Sequence, residues 1–213
     1  MADSKFKNQR KTLLVSSVSL ILFMMVVFFK GSFSAVDANV NSWSASIQSA
    51  PLTQVAKIIS YGFDTTSLLA ASVLIAAYLL YKHHKKDVLL LAVGMIGNSA
   101  LITIVKLLTH SPRPLNNIIA ETGFSFPSGH VMSSVVLFGL LAYFVWEHRK
   151  SKKIKIFSIL IFAIVALVVG FDRIYLNVHW LSDVLGAYSL GVFWLTFSIL
   201  LFQHLGRIAK PKL

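Results

Sequence analysis

Six apolar stretches, at about 12–29, 65–81, 88–108, 131–146, 154–171 and 184–203, constrain this chain most, because each approaches the roughly 17 to 25 residues that a helix needs to cross a bilayer. A backbone in lipid must satisfy its own hydrogen bonds, so helices are the structures such stretches adopt. The expected fold class is therefore all-α: a polytopic membrane helical bundle with six transmembrane helices. No repeat, low-complexity tract or linker divides the chain, and residues 1–213 read as one domain.

The formal charge of +12 raises nucleic acid as a partner, but its distribution argues for membrane topology instead. Of the twenty Lys and Arg, fifteen fall in four segments. These are Lys5, Lys7, Arg10 and Lys11; Lys82, Lys85 and Lys86; Arg149, Lys150, Lys152, Lys153 and Lys155; and Arg207, Lys210 and Lys212. Six spans place all four segments on one face, which the positive-inside rule makes cytoplasmic. The chain is then expected in the cytoplasmic membrane with both termini on the cytoplasmic side, and with no nucleic-acid partner. The remaining cations are Lys30, Lys57, Lys106, Arg113 and Arg173.

The chain lacks cysteine, which excludes disulfides and thiolate metal sites. The basic N-terminus and the apolar run 13–29 resemble a signal peptide with a small-residue site at Ser34-Ala35. That run exceeds the ~7–15 residues of a signal core, so retention as a first span is expected. The external segment at about 31–64 has helical apolar spacing in Leu52, Val55, Ile58 and Ile59, and reads as a lid or a packed connector. The third loop, at about 109–130, holds Pro112, Pro114, Gly123, Pro127 and Gly129, which forbid an uninterrupted helix. Irregular backbone at a membrane is tolerated where it lines a watery cavity or is buried in protein.

Ionisable residues at the ends of apolar spans mark functional sites by default. Three clusters qualify: Lys106 with Arg113-Pro114, Pro127-Ser128-Gly129-His130, and Arg173 with His179 and Asp183. The first two share a loop, and the third lies two crossings later, in a fifth loop that leads into the sixth span. All three therefore fall on the same, external face. Singly, they also read as snorkelling cations, a helix cap and a chance pair; their joint occurrence carries the argument.

His179 and Asp183 are four apart, so on a helix they share a face, and the carboxylate reaches one imidazole nitrogen while the other stays free to attack. Lys106, Arg113 and Arg173 bring three positive charges suited to three phosphoryl oxygens. The amides near Ser128 and Gly129, at a helix N-terminus, form an anion site. His130 is placed as a general acid for a leaving oxygen. Phosphoryl transfer needs mainly positioning and charge stabilisation, which this set supplies without a metal.

Lys106-x6-Arg113-Pro114, Pro127-Ser128-Gly129-His130 and Arg173-x5-His179-x3-Asp183 resemble the three signature motifs of the type 2 phosphatidic acid phosphatase family. The resemblance spans about residues 106–183 by motif and most of the chain by helix pattern. It implies a lipid phosphatase acting through a phosphohistidine, with His179 as nucleophile, Asp183 orienting it and His130 donating the proton. Lys106, Arg113, Ser128, Gly129 and Arg173 are implied to bind phosphate, with no metal and no cofactor. The implied substrate is a lipid phosphate or pyrophosphate from the bilayer, undecaprenyl pyrophosphate or phosphatidylglycerophosphate foremost, met on the outer face. Transfer to an acceptor other than water, or transport, are the competing readings; oligomeric state is not legible.

One position departs from the family pattern: Asp172 precedes Arg173 where Ser is usual. A carboxylate facing phosphate would repel it, so Asp172 is expected to turn away or pair with a cation. His83 and His84 are expected in solvent, His110 outside the chemistry, and Glu121 as an ordinary loop acid, with a guard of the mouth or a group titrating near the pocket as the alternative. Asn98 is expected to make an interhelical hydrogen bond.

Overall fold

The computed structural model describes residues 2–208, with side chains for residues 9–205. The charges of Lys5, Lys7, Arg207, Lys210 and Lys212, which enter the orientation argument, lie outside the described side chains. The helices are α1 (Ala2–Phe28), α2 (Ser34–Ser46), α3 (Ala50–Gly62), α4 (Thr65–Tyr81), α5 (Lys85–Thr109), α6 (Gly129–His148), α7 (Lys152–Tyr175) and α8 (Leu181–Ile208), with a 3-10 turn at Lys30–Phe33. No strand occurs among the described residues.

Five of these helices, α1, α5, α6, α7 and α8, are individually long and apolar enough to cross a membrane. The sixth expected span is α4, whose 17 residues rise ~26 Å, slightly less than a ~30 Å hydrocarbon core. It forms a pair with α3, bent by 51°. Large apolar side chains including Leu14, Ile21, Leu74, Ile96, Leu108 and Leu167 face outward. A surface this apolar suits lipid as solvent.

The core sits around α6, which packs against α4, α5, α7 and α8. Every residue of α6 from Gly129 to Leu137 is buried. Lipid provides little apolar driving force between helices, so close packing and polar contacts must hold them together. Both occur here. Asn98 of α5 donates to the Ser133 hydroxyl of α6 at 2.9 Å, the interhelical bond expected from sequence. Trp194 of α8 donates its indole N–H to the Gly94 carbonyl of α5 at 2.8 Å. That contact requires Gly97 one turn on, because a Cβ there would collide with the Trp194 ring.

The helices begin or end beyond the apolar stretches, since hydropathy marks the lipid-soluble part of a helix and not its capped ends. The largest consequence is at Arg173. It was expected in a loop, whereas α7 continues to Tyr175 and carries Arg173 fully buried in its last turns.

The segment 31–64 is neither loose nor extended. In α2, Asp37, Asn41 and Ser44 are buried, and the Ser44 hydroxyl donates to the Ile174 carbonyl at 2.9 Å. Tyr175 fastens the α2–α3 junction: its hydroxyl lies 3.0 Å from the Thr53 hydroxyl and accepts from Ser49 N at 3.1 Å. Helix α3 buries Ala56 and Ser60 and exposes Val55, Ile58 and Tyr61.

At the opposite end, His84 is not simply solvated. Its ring meets that of His148 edge-on at 4.3 Å, and Asp87 contacts His148 Nε2 at 2.5 Å. The three side chains have the spacing of a metal site. Lys82, Lys85, Lys86 and Arg149 flank them in sequence, a setting that opposes a dication.

Gly97→Ala is expected to lower stability by about 1–3 kcal/mol, because the whole indole must shift. Gly62→Ala, where a Cβ meets no neighbour within 4 Å, should leave it unchanged. Thermal unfolding in detergent compares the two; equal midpoints would show that the α5–α8 contact is looser than described.

Candidate active site

The three sequence clusters converge at one end of the bundle. Lys106 lies in the last turn of α5, which closes at His110 with left-handed backbone, φ 46°. The chain then runs irregularly to Ser128, held by Ser125 N donating to the Ser111 carbonyl at 2.8 Å and Ile118 N to the Leu176 carbonyl at 3.0 Å. Ser128 occupies the N-cap of α6. The third cluster runs from the end of α7 through a short connection to α8.

His179 lies just before α8, and Asp183 in its first turn. Their contact does not run along a helix face, as the four-residue spacing suggested; it crosses the helix start. His179 Nδ1 is 3.3 Å from Asp183 Oδ2. The same oxygen accepts Trp180 N–H at 3.0 Å, satisfying a donor that the helix start leaves without an internal partner. His179 Nε2 faces Arg113 Nη1 at 3.4 Å.

Burial pushes the His179 pKa down to about 4, against the opposing pull of Asp183. The imidazole is therefore neutral near pH 7 and keeps a lone pair. A hydrogen on Nδ1, facing the carboxylate, leaves that pair on Nε2 beside the guanidinium.

Arg113 is fastened by carbonyls. It donates Nε to Gly123 at 3.1 Å, Nη1 to Val178 at 2.9 Å and Nη2 to Thr122 at 3.1 Å. Burial lowers its pKa, with Glu121 and Asp183 opposing; an ordinary value this high leaves it charged at neutral pH. Lys106 Nζ donates to the Phe124 carbonyl at 2.6 Å. His110 packs its ring on Phe124, centroids 4.5 Å apart, which is a packing role.

Arg173 is completely buried, with every part of its fork engaged. Nε and Nη2 both donate to Asp172 Oδ2, at 3.0 and 2.5 Å. Nη1 reaches Glu121 Oε1 at 3.2 Å and His130 Nε2 at 3.2 Å. Asp172 thus pairs with its own neighbour, one of the two outcomes expected from sequence. Its side chain turns away toward α3, where it borders a cavity of about 90 Å³ with Leu52, Val55 and Ile59. Glu121 is more than a loop acid at the mouth: it bridges the two arginines, with Oε2 3.5 Å from Arg113 Nη2.

His130, in the first turn of α6, also contacts the Ser60 backbone, and its Nε2 is 3.9 Å from Asp64 Oδ1. Ser128 N donates to the Asp183 carbonyl at 3.3 Å, while its hydroxyl is buried without a partner. Of the two amides expected to form an anion site, that of Ser128 is therefore engaged. Gly129 starts the helix, and a Cβ there would press on Thr65 Oγ1 at 3.3 Å.

Besides Asp64, sequence reasoning missed two charged groups here. Lys30 Nζ lies 2.6 Å from Asp183 Oδ1, and Asp37 accepts both Ser182 N, at 2.9 Å, and the Ser182 hydroxyl, at 2.7 Å. A cation at the end of the first apolar run, seven residues before an acid, was the available signal.

The PAP2 superfamily model matches residues 87–207, which hold all three clusters. Phosphatidylglycerophosphatase B of Bacillus subtilis (strain 168) is 30% identical over 183 residues, covering 82% of this chain and 89% of that protein. Among solved structures, a transmembrane PAP2-type phosphatidylglycerolphosphate phosphatase from Bacillus subtilis matches with a TM-score of 0.78 and 27% identity, over 92% of this chain and 98% of the other. Aquifex aeolicus LpxE shares the fold, with a TM-score of 0.61 and 20% identity over 76% of this chain and 93% of the other. With the family match covering more than half of its length and the same helical bundle around its charged site, the chain belongs to the PAP2 superfamily, as a multi-pass membrane phosphatase.

Proposed function

We propose that the chain removes the terminal phosphate from a membrane lipid through a phosphohistidine at His179, with residues 1–213 acting as one domain. The observation that carries this reading is the placement of His179 between Asp183, 3.3 Å from Nδ1, and Arg113, 3.4 Å from Nε2. Asp183 fixes the tautomer, and Nε2 attacks phosphorus.

As the N–P bond forms, the P–O bond to the lipid breaks, and His130 gives the departing oxygen its proton. Lys106, Arg113 and Arg173 hold the phosphoryl oxygens, with the Ser128 hydroxyl and the Gly129 amide at the start of α6. Water then attacks the phosphohistidine, losing its proton to His130, and phosphate leaves while His179 regains its lone pair. Side-chain cations carry the charge stabilisation, so no metal is required in this scheme.

The substrate favoured by the likeness to the phosphatidylglycerophosphate phosphatases is a lipid phosphate monoester of that class, with undecaprenyl pyrophosphate as the alternative. The distribution of Lys and Arg favours a site on the outer face of the cytoplasmic membrane, with both termini inside.

Three outcomes are expected. Phosphate release from phosphatidylglycerophosphate in EDTA should persist in the wild type and fall at least about 10³-fold in His179→Ala; release that needs metal or survives the substitution would overturn the mechanism. His130→Ala should slow a lipid monophosphate about 10²-fold and a lipid pyrophosphate much less, because the departing phosphate needs less protonation. Equal losses on paired substrates would remove His130 from that role.

The third concerns pH. His179 attacks only when neutral, and its pKa lies near 4 in the folded protein, so kcat/KM should lose this group's contribution only as pH falls through about 4. Since the folded value lies below the ordinary one, the unfolded chain binds more protons between them. Stability contributed by neutral His179 is thus complete above about 6.5 and declines as pH drops toward 4. A wild-type kcat/KM that already falls at about pH 6.5, or a loss of unfolding midpoint between about pH 6.5 and 4 that is the same in His179→Ala, would contradict its burial as a neutral base.

A further inference from the structure

From the contact of Lys30 with Asp183, we infer that Lys30 is a positioning residue for the reaction, holding the carboxylate that orients His179. The inference rests on the reading of His179 as nucleophile. Lys30 lies outside all three sequence clusters, at the 3-10 turn that follows α1, 153 positions from Asp183.

Asp183 is fully buried, and a buried carboxylate is stable only when paired and hydrogen-bonded. Its two oxygens divide the work. Oδ2 faces His179 Nδ1 and accepts Trp180 N–H; Oδ1 receives Lys30 Nζ at 2.6 Å. Among the charged groups of other elements, Lys106 and Arg113 also act on Asp183, but through space.

Lys30 is itself constrained on three sides. Nζ reaches the Ser182 hydroxyl at 3.3 Å and stands 4.4 Å from the centroid of the Phe126 ring, a cation–π distance. Ser182 is in turn fixed by Asp37, which accepts both its N–H and its hydroxyl. Asp37 is buried in α2, and burial raises its pKa against those two bonds. The order along the network is Asp37, Ser182, Lys30, Asp183, His179.

The chain between α1 and α2 thus brings one cation, Lys30, and α2 one acid, Asp37, to the start of α8. As His179 gains phosphate on Nε2, its ring becomes cationic and its Nδ1–H bond to Asp183 strengthens. An Asp183 carboxylate held at Oδ1 keeps Oδ2 aimed at that hydrogen throughout. Without Lys30 the carboxylate is free to turn, and the cost falls on the chemical step more than on lipid binding.

The test compares Lys30→Met, Lys30→Arg and His179→Ala in steady-state phosphate release, with thermal unfolding of each in detergent. Lys30→Met should lower kcat about 10- to 100-fold, the range seen when a supporting hydrogen bond behind a metal-bound imidazole is lost, while KM changes little. Lys30→Arg, which restores charge and donors, should recover most of kcat. Lys30→Gln serves in the same comparison if the Met variant does not accumulate. Wild-type kcat in Lys30→Met beside an inactive His179→Ala would overturn the role of Lys30 alone. A loss that tracks the unfolding midpoint and is not recovered by Arg would overturn it as well, leaving Lys30 purely structural. Activity surviving in His179→Ala would overturn the site reading on which the inference stands.

Discussion

A single buried carboxylate organises this end of the molecule. Asp183 binds Lys30 from the first external segment, faces His179 and Trp180 from the connection before α8, and offers its backbone carbonyl to Ser128 at the start of α6. Removing a carboxylate from water costs several kcal/mol unless its partners are well placed. The partners are drawn from three separate parts of the chain, so the fold must close before the site exists. The short α2 helix has the same logic: from its polar buried face Asp37 meets the N–H and hydroxyl of Ser182 at the start of α8, and Ser44 meets the Ile174 carbonyl.

Arg173 forms the second fixed point. A guanidinium with no exposure is tolerated because Asp172 holds Nε and Nη2, while Glu121 and His130 meet Nη1. Asp172 turns its charge toward the arginine and its side chain toward α3. The pair thereby holds the fork in one orientation, with Nη1 directed at Glu121 and His130. Glu121 spaces Arg113 from Arg173 and offsets part of their mutual repulsion.

Much of this was legible in sequence, for reasons that also set the limits. The apolar stretches located six of the eight α-helices among the described residues, since the cost of polar groups in lipid is large and local. The spacing of Leu52, Val55, Ile58 and Ile59 anticipated α3, whereas α2 was hidden because its inward residues are Asp37, Asn41 and Ser44. Arg173 was assigned to a loop because hydropathy registers a charge as an end and cannot see that Asp172 neutralises it. The residues of the three clusters were readable from their types and parity. Lys30 was not, since its partner lies 153 positions away and no periodicity links them.

The most direct measurement is the chemical state of His179 during turnover. Rapid acid-free quenching with a lipid carrying labelled terminal phosphate, followed by peptide mapping, should place the label on His179, in a linkage that is stable to base and labile to acid. The label should appear and decay at rates that account for turnover, and be absent from His179→Ala. Turnover with no labelled enzyme, or with label on another residue, would contradict His179 as the nucleophile and with it the central claim.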